Sequence, residues 1–78
     1  MATEAEMLAQ SFPYWTVIIP YAEVGATKWH PTTKTGPFSV LSRGAFKSED
    51  AAHEWAKNSF NAQPYEIRKV ELEAHDGA

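Results

Sequence analysis

The chain has 78 residues, a net charge of −3 and no cysteine. That length suits one domain and leaves no room for a second. A disulfide framework and a thiolate zinc site are both excluded. A chain this short buries only about 60% of the surface its unfolded form exposes. Packing alone must therefore hold the fold, and three Trp, four Phe and three Tyr are the means available. The expected ordered core spans residues 12–72, with residues 1–10 and 73–78 loose.

Residues 3–10 are rich in helix formers, and Thr3 with Glu6 matches a capping box. Residues 14–21 (YWTVIIPY) read as a strand, with Trp15, Val17, Ile19 and Tyr21 on one face. Tyr14 and Ile18 make the second face partly apolar, and Pro20 marks the strand's end or an edge. Residues 22–37 form a long connection in which Lys28-Trp29-His30-Pro31 is too aromatic for a plain linker.

Residues 38–46 (FSVLSRGAF) read as a second strand, with Phe38, Val40 and Phe46 turned to the core and a bulge or bend at Gly44. Residues 48–63 form a helix that Ser48 caps and Glu49 and Asp50 favour through the helix dipole. Ala52, Trp55, Ala56, Ser59 and Phe60 make its apolar stripe, and Asn61 and Pro64 supply the stop. Residues 65–72 (YEIRKVEL) read as a third strand. Its apolar residues change face between Ile67 and Val70, so either a bulge lies near Arg68-Lys69 or both faces are covered. The expected fold is α+β, a three-stranded antiparallel sheet with one amphipathic helix on one face (ββαβ) and a short N-terminal helical turn.

Chemistry is sparse. His53-Glu54 begins a zincin-like pattern, but position 57 is Lys where the second ligand belongs. His30, His53 and His75 are too scattered for a metal set, and no G-x-S-x-G elbow or phosphate loop is present. A domain this small is also expected to lack a pocket of about 300–1,000 Å³. The reading is a non-enzyme with no cofactor and no metal.

Residues 28–47 stand out, because between Val24 and Ser48 the chain carries Lys28, Lys34, Arg43 and Lys47 with no acid. The candidate binding residues are Lys28, Trp29, His30, Lys34 and Arg43. Trp29 fits either an interface ring or a ring that folds back to cap the core. The acidic helix face (Asp50, His53, Glu54, Lys57) and the edge of the third strand are further candidate surfaces.

Gly44-Ala45-Phe46-Lys47-Ser48 followed by Ala52 resembles the strand-to-helix corner of SPOR peptidoglycan-binding domains. Phe46-Lys47-Ser48 with Ala51-Ala52 and Trp55-Ala56 is similar to the junction in arm-binding domains of phage integrases, which read DNA through a three-stranded sheet. Both resemblances cover a short stretch, and such corners arise wherever a strand feeds a capped amphipathic helix; neither assigns a family.

The function expected is that of a protein-interaction module, a small regulator or inhibitor of a larger bacterial or phage-related assembly such as a host-defence complex. That expectation rests on size and on the absence of a catalytic constellation. The alternative is weak nucleic-acid binding through residues 28–47, which the net acidity opposes. A homodimer is compatible with both. Residues 1–10 carry acids where an export signal needs positive charge, and no apolar run reaches the roughly 20 residues of a membrane span. The expected location is the cytoplasm.

Overall fold

The computed structural model describes residues 3–21 and 26–73. Its element order is α1 (Glu4–Ser11), β1 (Tyr14–Ile18), β2 (Lys28–Trp29), β3 (Ser42–Phe46), α2 (Glu49–Ser59) and β4 (Glu66–Leu72). His75, in the tail, lies outside the described residues.

β1 organises the molecule because nearly every side chain it carries is buried. Alternation sends Val17 and the half-buried Trp15 towards α2, and Tyr14, Thr16 and Ile18 to the opposite face. The strand ends at Ile18, short of the expected residue 21. Pro20 cannot extend the ladder, and Ile19 instead donates its N–H to the Leu41 carbonyl at 3.4 Å. Tyr21 is consequently left outside, 87% exposed.

β4 pairs antiparallel with β1 in unbroken register, from Ile18 opposite Glu66 to Tyr14 opposite Val70. The change of face between Ile67 and Val70 therefore needs no bulge. Ile67 shares the α2 side with Val17, whereas Val70 joins Tyr14 on the other side. Val17, Ile18 and Val70 are the largest fully buried side chains, each contributing about 1.5–3 kcal/mol.

β3 pairs antiparallel with the other side of β1, and here the expected bulge is present. Trp15 faces Phe46 and Val17 faces Arg43, so two steps along β1 match three along β3. Gly44 takes the extra residue with φ of 75°, a conformation that costs side-chain-bearing residues about 1–2 kcal/mol.

The sheet differs from expectation in one further strand. It is mixed and four-stranded, in the order β2-β4-β1-β3, not three-stranded and antiparallel. β2 comes from the expected loop and runs parallel to β4, with Lys28 opposite Glu71 and Trp29 opposite Leu72. Two residues with no alternation around them carry too little pattern to announce a strand.

α2 covers one face. Ser48 caps it by accepting the Ala51 N–H at 3.1 Å, and Phe60 ends it by donating to Ala56 O at 2.7 Å. Ala52 and Ala56 are fully buried, and their small size lets the helix sit close to Val17. Trp55 fills the flank between Phe46 and Phe60, with ring centroids 5.6 Å from each.

The opposite face is covered as well, which corrects the one-sided arrangement. Phe12 lies 5.1 Å from the Tyr14 ring and 5.6 Å from Trp29, and Phe38 stacks on Tyr14 at 6.4 Å. Pro37, next to Phe38 in the chain, is buried. α1 docks at its margin. Thr3 caps it through the Glu6 N–H at 3.2 Å, and Lys47 Nζ donates to the Gln10 carbonyl at 2.6 Å. Residues 4–11 are thus helical.

Candidate interaction surface

The five candidate residues from the sequence do not converge. Lys28 is exposed on the outermost strand β2. Trp29 is half-buried against Phe12, and a Cβ on Gly36 would lie only 2.5 Å from its Cδ1. Of the two readings left open for Trp29, the core-capping one describes its contacts.

His30 and Lys34 close a tight turn. The His30 N–H donates to Thr35 O at 2.9 Å and the Lys34 N–H to His30 O at 2.8 Å, with Lys34 at φ of 55°. Their side chains are engaged: His30 Nδ1 lies 3.0 Å from a Glu73 carboxylate oxygen, and Lys34 Nζ lies 3.8 Å from Glu4. Arg43 sits on β3 at the far end of the sheet, three strand spacings or about 14 Å from β2. Its guanidinium donates to the Val40 carbonyl and, at 3.0 Å, to Ser42 O.

The sequence reading missed the most exposed apolar residues of this region. Val40 is 82% exposed and Phe38 65%, although alternation assigned both to the core. Their segment is a succession of turns, not a strand. The Phe38 N–H donates to Gly36 O at 2.8 Å, Leu41 N–H to Ser39 Oγ at 2.9 Å, and Ser42 N–H to Ser39 O at 3.0 Å. Gly36-Pro37 and Ser39 are turn-forming residues, and that local signal outweighs a period-two pattern with only two apolar members.

The edge assignment also shifts. The strand expected to offer a free edge, β4, lies inside the sheet between β1 and β2. The two edges are the two-residue β2 and the longer β3, where Arg43, Gly44 and Ala45 are exposed and no strand pairs on the outer side among the described residues. The residues 38–41 turn leads directly into the β3 edge, and the Val40 carbonyl accepts from the Arg43 guanidinium.

Elsewhere the chemistry is modest. The polar face of α2 exposes Asp50, His53, Glu54 and Lys57, with His53 placed 3.6 Å from Glu49 and 3.4 Å from the Tyr65 hydroxyl. Contrary to the expectation that no pocket would fit, an open depression of about 310 Å³ lies among Ala9, Phe12, Pro13, Glu71 and Leu72. Its lining is mixed in polarity, and Glu71 on it lies 3.3 Å from Lys69 Nζ. Among the described residues that line it there is no hydroxyl or imidazole side chain. The Tyr14 hydroxyl is buried with no hydrogen-bond partner among the described residues, and burial raises its pKa above 10.0.

Among the described residues no group of three His, Asp or Glu is placed to hold a metal ion, and no helix is long and apolar enough to cross a membrane. No protein-family model, curated protein or solved structure matches this chain.

Proposed function

We propose that this chain is a non-enzymatic protein-interaction module, a small regulator or inhibitor that acts by occupying a surface of a larger assembly. The observation that carries the reading is the exposure of Val40, at 82%; Phe38 is also largely exposed but stacks on Tyr14. A domain this small is short of apolar mass and gains by burying what it has. An apolar side chain left in water next to an unpaired strand edge fits a surface that is covered in a complex. The contact surface is therefore the turn at residues 38–41 and the β3 edge with Arg43, not the Trp29 segment.

The nucleic-acid alternative draws less support from the geometry. Lys28 and Arg43 occupy opposite ends of the sheet, while His30 and Lys34 face carboxylates of their own chain. No single basic face is assembled for a phosphate backbone.

Affinity capture from native-host lysate, comparing wild type with Val40→Asp and each with and without nuclease, tests the reading. The expected result is a nuclease-resistant protein partner that Val40→Asp loses while the circular dichroism spectrum is unchanged. Partners that vanish with nuclease would replace this reading with the nucleic-acid one. Partners indifferent to Val40→Asp would move the surface elsewhere.

A further inference from the structure

The β3 edge carries more information than exposure alone. Residues 26–48 contain Lys28, Lys34, Arg43 and Lys47 and no acid, whereas the chain as a whole is acidic. Lys34, Arg68 and Lys69 each lie within 4.0 Å of a carboxylate. Arg43 and Lys47 have no carboxylate within that distance among the described residues; their hydrogen bonds go to the carbonyls of Val40, Ser42 and Gln10, which fix the side chains without neutralising them. Two positioned, uncompensated cations thus flank the backbone of a free edge strand, with Val40 at one end.

We infer that β3 receives an extended acidic segment of a partner protein as a fifth strand, its carboxylates meeting Arg43 and Lys47 and an apolar side chain resting on Val40. This inference rests on the interaction-module reading above. Backbone bonds to an edge supply affinity that is indifferent to sequence, and side chains at alternate positions supply selectivity. The bulge at Gly44 interrupts the regular edge and limits how many backbone bonds an added strand makes. Charge pairing then carries most of the discrimination. The same argument selects against a second copy of this chain. Pairing two β3 edges about a two-fold axis brings two Arg43 and two Lys47 side chains together, and like charges across a strand pair are destabilising.

The test uses the full chain, isotopically labelled, with amide chemical shifts read on titration of a short capped peptide of alternating glutamate and valine. Two control peptides replace glutamate by lysine or carry N-methyl groups on alternate amides. The expected result is shifts concentrated at Val40 and Ser42–Phe46, and binding that weakens as salt is added. N-methylation removes it, the lysine peptide does not bind, and Arg43→Glu weakens it by about fivefold or more. Lys47→Gln, which removes charge without reversing it, weakens it in the same direction and guards against a folding defect in the other variant. Shifts confined to another surface, equal binding of the lysine peptide, or indifference to N-methylation would overturn the inference. So would concentration-dependent shifts of β3 in peptide-free protein, which would identify a second copy as the occupant. If the peptides fail while capture of a partner still depends on Val40, the edge inference falls and the interaction reading stands.

Discussion

Replacing Gly44 by alanine perturbs the β3 corner in two separable ways. Gly44 has φ of 75°, so an added Cβ costs about 1–2 kcal/mol in the backbone, offset by about 0.4–1 kcal/mol from the stiffer unfolded chain. That Cβ would also overlap the Phe46 ring, whose position is set by Trp55 at 5.6 Å. Forcing a packed ring aside costs about 1–3 kcal/mol. The net destabilisation expected is about 2–3 kcal/mol. For a chain of this size it lowers the melting temperature by roughly 8–24 °C. Urea and thermal melts of Gly44→Ala measure it, and the Phe46→Ala background separates the parts. With the ring gone, the cost of Gly44→Ala should fall to about 1 kcal/mol. A Gly44→Ala protein melting within a degree or two of wild type would refute both the left-handed bulge and the placement of Phe46 beneath it.

Three further outcomes follow from the same packing. Tyr14→Phe removes a buried hydroxyl without a partner and should stabilise by about 1 kcal/mol in urea melts. Because the folded pKa of Tyr14 lies above its unfolded value of 10.0, its contribution is fully present below pH 10.0 and is lost as pH rises through the folded pKa. Stability-versus-pH curves should therefore fall above pH 10.0 less steeply in Tyr14→Phe; identical slopes would contradict the burial. Trp29→Ala should destabilise by about 2–3 kcal/mol, less than a fully buried tryptophan because the ring is half exposed; a neutral result would return Trp29 to the binding surface. Ser48→Ala should cost about 1 kcal/mol through the lost bond to the Ala51 N–H, whereas Ser48→Asp should keep most of it.

How much was legible in the sequence depended on the range of the signal. The helix with its Ser48 cap, the central strand at Tyr14 and the bulge at Gly44 each declare themselves through local chemistry, and each is present. β2 was not legible, because its two residues pair with a strand more than forty positions away and show no alternation of their own. Phe38 and Val40 alternate as core residues do, but the turns at Gly36, Pro37 and Ser39 override that pattern. That error bears directly on the site, since an apolar residue assigned to the core cannot be considered as a contact. Trp29 and the residues around it drew attention for their composition, yet composition does not distinguish a ring that meets a partner from one that closes the chain's own second core.

Site-specific photo-crosslinking in the native host reports whether another protein covers the surface around Val40. A photoreactive phenylalanine analogue replaces Val40 in one strain and Lys57, on the polar face of α2, in another. We expect discrete protein adducts from position 40 that survive nuclease treatment, and none from position 57. Adducts arising only from position 57, adducts to nucleic acid, or no adduct from position 40 while the protein remains folded would contradict it.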